Sequence, residues 1–229
     1  DKNAKDTVFN KSLINLRIGN FEEGWDLYSA GLSKEENFRE LFENYYIDKT
    51  ELWDGKPFDG TLLVYGEQGI GDQIMFGTIF EDLLKVQPNI AVVIDKRLKK
   101  LFERTYPNVN FFGIEEDISL LNYSKHISMG GLCKFFRNNI KDFNNGIFKP
   151  LITSYDINNQ IKTLMPQSKG LKIGLSWLTF AKKNVKRRSL SSQQVSSIMN
   201  YNNHTFINLQ YGEINDEINA INKLSKNNL

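Results

Sequence analysis

At 229 residues, 40% apolar and 12% aromatic, the chain is long enough to bury the core of one large or two small domains. Its 29 basic and 27 acidic residues leave a net charge of +2, too near balance for bulk attraction to nucleic acid or an anionic membrane. One cysteine, Cys133, and two histidines, His126 and His204, exclude an internal disulfide framework and a dense metal cluster and fit a reducing compartment.

No apolar run approaches the roughly 20 residues of a membrane span, so no integral membrane segment is expected. The opening DKNAKDTVFN lacks the basic and apolar regions of a signal peptide and has no initiating methionine, which leads us to expect a fragment.

The first 50 or so residues read as helical. In FNKSLINLRIGNFEEGWDLYSAGL, apolar Leu13, Leu16 and Ile18 precede a Gly-Asn break, after which Phe21, Trp25 and Tyr28 recur at i, i+4 and i+7. That spacing predicts a helix, a tight turn and a second helix. In LWDGKPFDG, Trp53 and Asp54 with Gly55, Pro57 and Gly60 read as the turn into the next element. From Thr61, short apolar runs alternate with helical patterns, the rhythm of a parallel sheet with crossover helices. The expected strands are TLLVYG, IAVVID, VNFFG and KHISM. Between them lie DQIMFGTIFEDLLKV, whose Phe76, Ile79, Phe80 and Leu83 share one face, and KRLKKLFERTY. After a polar helix and loop between Pro150 and Gly170 the pattern restarts with LKIGLSW, a basic loop, SSQQVSSIMNY, TFINLQ and NDEINAINKLSK. Two strands cannot hold a doubly wound domain by themselves, so the natural protein is expected to continue beyond Leu229.

The segment LLVYGEQGIGDQIMFGTIFEDLL runs from strand through a glycine loop into a helix. It lacks the Gly-Lys-Ser/Thr of a P-loop, and Ile74 stands where the dinucleotide fingerprint needs a small residue. Gly66, Gly69 and Gly71 permit positive φ and close approach of a ligand. Asp72 either caps the helix or, at the carboxyl end of the first strand of an open sheet, serves as a general base. Five cations, Lys182, Lys183, Lys186, Arg187 and Arg188, follow the strand LKIGLSW; they read as a solvated loop or as an anion contact, with Trp177 and Phe180 as core or as stacking groups. His126 reads as packed or exposed, and Cys133 as a packing thiol.

These segments resemble bacterial proteins that join tetratricopeptide repeats to a heptosyltransferase-like module, glycosyltransferase family 9-like. The resemblance is carried by LLVYGEQGIGDQIMFGTIFEDLL, by GNFEEGWDLY and LWDGKPFDGTLLV ahead of it, and by LKIGLSW, RRSLSSQQVSSIM and FINLQYG behind, from about Phe9 to Gly212. Leu16, Gly19, Phe21, Gly24, Trp25 and Tyr28 resemble one tetratricopeptide hairpin, which needs neighbours to bury its apolar face. The resemblance implies an α/β fold of two Rossmann-like domains of the GT-B type. The divisions would be a helical hairpin and linker over residues 1–50, an acceptor-side domain over 51–165, and an incomplete nucleotide-sugar domain over 166–229.

It further implies metal-independent transfer of a sugar from a nucleotide sugar, itself a substrate, to a hydroxyl, with no cofactor. Asp72 would be the catalytic base and Gly66, Gln68, Gly69 and Gly71 the acceptor-side loop. The diphosphate would meet Lys182, Lys183, Arg188 and Ser189, with Gln210 as a further donor contact. Glycan, lipid-linked and protein acceptors all fit, as does a protein partner on the repeat helices; nucleic acid does not. The implied location is cytoplasmic, peripheral at the inner membrane face. The family's Asp-Thr donor segment is missing before Leu229, which keeps open a non-catalytic scaffold with a degenerate fold.

Overall fold

In the computed structural model, which describes residues 2–32, 50–146, 148–167, 170–180, 188–201 and 204–226, the chain opens with helices α1 (Lys2–Arg17) and α2 (Phe21–Leu32). Gly19, at φ +83°, stops α1. Its N–H reaches Leu16 O at 3.2 Å and that of Asn20 reaches Asn15 O at 2.9 Å, the bond pair by which a left-handed glycine closes a helix. The two helices meet where Gly24 faces Leu16, so closely that a Cβ on Gly24 would stand 2.6 Å from Leu16 Cδ2. Ser12 Oγ donates to Gly24 O across the same contact at 2.9 Å. The stripe expected on α1 is therefore turned: Leu13 and Ile18 are exposed, whereas Ser12 and Asn15 are buried and Leu16 half-buried. Close approach at a glycine admits a small hydroxyl with its own acceptor where a larger apolar group would not fit.

The inward face of α2 is the expected one. Trp25 Nε1 donates to Arg137 O at 2.9 Å, Trp25 and Tyr28 both meet the Phe76 ring edge-on, and Asp26 pairs with Lys134 at 2.9 Å. The hairpin thus packs on the α/β part of the chain.

That part runs β1 (Glu51–Leu52), β2 (Leu62–Tyr65), α3 (Ile70–Phe76), a 3-10 turn (Gly77–Ile79), α4 (Phe80–Val86), β3 (Ile90–Ile94), α5 (Lys96–Thr105), β4 (Asn110–Gly113), β5 (Lys125–Ser128), a second 3-10 turn (Gly130–Leu132), α6 (Cys133–Phe136) and α7 (Ile140–Asn145). Every strand pair is parallel and the order is β1-β5-β2-β3-β4. In register, Leu63 lies between Ala91 of β3 and His126 of β5. All residues of β2 and β3 are buried, as apolar runs in the middle of a parallel sheet covered on both faces should be. Phe80, Phe102, Tyr106 and Phe111 form one ring cluster against them; burying each such ring contributes about 2–3 kcal/mol. The single helix expected over DQIMFGTIFEDLLKV is broken at Gly77, where a Cβ would stand 2.5 Å from the Phe102 ring: the helix gives up a regular turn to lie against α5.

The short β1 is an addition to the expected strands, since two residues carry no alternation to read. Trp53 continues its pairing, with its N–H on His126 O at 2.9 Å and its indole N–H on Lys56 O at 2.7 Å, and the expected turn follows at Gly55, φ +85°.

The chain divides into two compact units, Asp1–Ile157 and Asn158–Leu229, and α8 (Tyr155–Leu164) runs across the division. In the second unit β6 (Lys172–Leu175) and β7 (Thr205–Asn208) pair in parallel, with α9 (Ser192–Met199) and α10 (Asn215–Leu224). Its core is Trp177, Val195, Met199, Phe206, Ile214 and Ile221. Among the described residues, no helix is long and apolar enough to cross a membrane.

Candidate functional site

The strand order of the first unit locates a reversal point. From β2 the chain steps outward through β3 and β4, then returns to place β5 on the other side of β2. Ligands of open parallel sheets bind outside the carboxyl ends of the strands where the order reverses. Here that point lies between Gly66–Gly69, after β2, and Met129–Gly131, after β5.

Asp72 stands on this edge of the sheet, exposed, as the third residue of α3. It is not the cap: Gly69 holds that position without a side-chain cap bond, because α3 begins at Ile70, three residues earlier than a cap at Asp72 would set it. An acid in the first turn still gains from the helix dipole. The loop glycines also differ from expectation. The positive-φ glycines among the described residues are Gly19, Gly55, Gly60 and Gly212, so none of Gly66, Gly69 and Gly71 uses the left-handed region. Gly66 is needed for space, since a Cβ there would stand 2.5 Å from the carboxamide carbon of Gln73. Gly71 has nothing within 4 Å and leaves the surface beside Asp72 bare.

Two side chains that the sequence did not single out hold the loop. Gln73, buried, donates from Nε2 to Gln68 O at 2.8 Å and accepts the Asp95 N–H on Oε1 at 2.9 Å, tying the loop to the end of β3. Glu67 is 6% exposed. Its Oε1 accepts the Gly130 N–H at 2.8 Å and the Tyr28 hydroxyl at 3.4 Å, while Oε2 is buried with no partner. Burial raises the Glu67 carboxyl to about 7 against hydrogen bonds that pull it down. Burial, then the Glu67 charge, keeps Tyr28 protonated. The signal that could have found Glu67 is small: an acid directly following a fully apolar strand and one glycine.

Elsewhere in this unit, His126 is buried on β5 with Nδ1 2.8 Å from Thr50 Oγ1. The Cys133 thiol is buried and pushed up, by burial first and then by Glu67, which makes it a packing group. A hollow of about 280 Å³ lies among Asp82, Phe136, Arg137 and Asp142. Arg137 there is bound to Asp82 at 2.9 Å, and Asp82 sits in the first turn of α4.

In the second unit, Arg188 is exposed and Ser189 Oγ accepts the Thr179 N–H at 3.1 Å. Gln210 is buried and its carboxamide is engaged within the protein. Oε1 accepts the Trp177 and Leu178 N–H groups, each at 2.8 Å, and Nε2 donates to Leu178 O at 3.1 Å. It joins the loop after β6 to the end of β7. Trp177 belongs to the core, and Phe180, half exposed, meets Tyr211 at 5.2 Å. Lys182, Lys183, Lys186 and Arg187 lie outside the described residues.

No family model matches the chain, and no solved structure matches it. Among curated proteins it is similar to Protein FlbA of Caulobacter vibrioides, with 24% identity over 233 residues, covering 92% of this chain and 38% of FlbA. The chain thus spans well under half the length of that relative, and what the two share is a likeness running through both compact units.

Proposed function

We propose that this chain is part of a metal-independent glycosyltransferase that moves a sugar from a nucleotide sugar to a hydroxyl acceptor, with Asp72 as general base. The observation that carries the reading is Asp72 itself: an exposed carboxylate in the first turn of α3, following the β2 loop at the reversal of strand order that Glu67 and Gln73 brace. The acceptor oxygen attacks the anomeric carbon and the bond from that carbon to the diphosphate breaks. The electron pair leaves with the nucleoside diphosphate, and the acceptor proton passes to Asp72. Cations of the Lys182–Ser189 loop would receive the diphosphate in the second Rossmann-like domain that the reading requires. The acceptor is a glycan, a lipid-linked sugar or a protein side chain, and the setting is the cytoplasm or the inner membrane face.

A second reading, a non-catalytic scaffold, is favoured by one feature: Leu13, Ile14 and Ile18 lie exposed along α1, a surface suited to a partner helix if the hairpin is a tetratricopeptide repeat. Sugar-nucleotide turnover by the full-length protein separates the two. With an acceptor present, Asp72→Asn should lower transfer about 100-fold or more; equal rates would remove Asp72 as base, and no turnover by either protein favours the scaffold.

A further inference from the structure

At the strand reversal of the first unit, Tyr28, Glu67 and Gly130 pack against one another. Tyr28 of α2 reaches over the sheet, and a Cβ on Gly130 would stand 2.6 Å from Tyr28 Cε1 and closer still to Glu67 Oε1. One carboxyl oxygen therefore lies between three segments remote in sequence: the loop after β2, the turn after β5 and the helical hairpin. The adjoining Gln68 accepts the Gln73 side-chain amide on its carbonyl at 2.8 Å. Tyr28 thus reaches α3 through its bond to Glu67, the Glu67–Gln68 peptide and the bond from Gln73 to the Gln68 carbonyl.

We propose that Glu67 is the positioning residue of the Asp72 loop, so that seating of the α1–α2 hairpin on the sheet and placement of the loop are one event. The catalytic consequence rests on the transfer reading; the coupling itself does not.

The chemistry of the pocket makes the coupling sensitive to one proton. The groups acting around Glu67 are the Tyr28 hydroxyl from α2, Tyr65 from β2 and the Cys133 thiol from α6, all neutral, while Asp72 acts on Tyr28 and Arg137 on Cys133. The Arg137 guanidinium is held by Asp82. Ionised Glu67 would carry charge on Oε2, which has no partner, and a buried charge without one is costly. A proton on the carboxyl removes that cost and leaves Oε1 free to accept.

Hydrogen exchange of the full chain, normalised to intrinsic rates and followed by mass spectrometry, tests this. Tyr28→Phe deletes one oxygen from α2, yet should speed exchange about threefold or more in the peptide spanning Gly66–Phe76 as well as in α2. Glu67→Ala should do the same in both and in Gly130–Phe136, whereas Glu67→Gln, which keeps the acceptor, should stay within about twofold of wild type. Wild-type protection of Gly66–Phe76 should fall between about pH 6 and about pH 8, and the fall should vanish in Glu67→Gln. Acceleration confined to the mutated segment, or a pH response that persists in Glu67→Gln, overturns the proposal; if Glu67→Ala does not fold, Tyr28→Phe alone decides. Where transfer is measurable, Tyr28→Phe should lower kcat more than it alters KM. Failure of Asp72→Asn to reduce transfer would remove the enzymatic reading and leave the exchange result standing.

Discussion

The Tyr28 hydroxyl lies 3.4 Å from Glu67 Oε1 across 39 positions of sequence, so a helix of the N-terminal hairpin reads the state of a carboxyl at the end of the central strand. The same oxygen holds the Gly130 N–H, and the stability of the first unit should follow its protonation.

Burial lifts the Glu67 carboxyl from the usual 4.5 to about 7. The folded protein therefore binds a proton between these values that the unfolded chain has released. The stability this proton contributes is fully present below about pH 4.5 and is lost as pH rises through about 7, to a limit of about 3 kcal/mol. Urea unfolding of wild type and Glu67→Gln across that range should show wild type losing stability relative to the variant as pH rises; parallel curves would show that Glu67 does not titrate there.

Glycines of the loop and of the facing turn should behave oppositely. Gly130→Ala forces a methyl against Glu67 and Tyr28 and should cost about 2–3 kcal/mol. Gly71→Ala meets nothing within 4 Å and sits in a helix, so it should leave stability unchanged or raise it by about 0.5 kcal/mol. Thermal unfolding distinguishes them, and any loss of ligand binding in Gly71→Ala would then reflect the surface beside Asp72.

Arg137 and Asp82 form a largely buried ion pair, with side chains 10% and 16% exposed at 2.9 Å. Arg137→Met takes away the 2.9 Å partner of the Asp82 carboxylate and leaves Lys85 at 3.9 Å; it should destabilise by about 2 kcal/mol, part of which Arg137→Met with Asp82→Asn should restore. Additive losses in that double-mutant cycle would show the pair to be uncoupled.

In the second unit, Gln210→Ala leaves two backbone N–H groups and a carbonyl without their acceptor and donor and should cost about 2–3 kcal/mol. Arg188→Ala, at an exposed site, should leave unfolding unchanged while weakening nucleoside diphosphate binding about tenfold in calorimetry. Unchanged affinity would remove Arg188 from the diphosphate site.

The sheet was legible because its strands are buried on both faces and so spell out unbroken apolar runs, as in LLVY and IAVVI. What packs by fit was not. Ser12 and Asn15 face inward on α1 because Gly24 brings the helices together, and a polar residue carries no periodic signal of burial. Asp72 looked like a cap because aspartate favours that position, whereas the helix starts from Gly69 with no side chain on its first N–H groups. Glu67 gives no signal for a related reason: a glutamate after a strand reads as solvated, and only the turn after β5 and Tyr28, remote in sequence, enclose it.

The hairpin has its partners far downstream. Trp25 finds the acceptor for its indole N–H at Arg137, 112 residues later, and β1 pairs with β5 rather than with its neighbour in sequence. During synthesis the Trp25 indole N–H thus waits for its acceptor until 112 further residues have emerged. The delay costs little in final stability, since loop closure grows only slowly with length. It does slow folding, because contacts so distant in sequence form late.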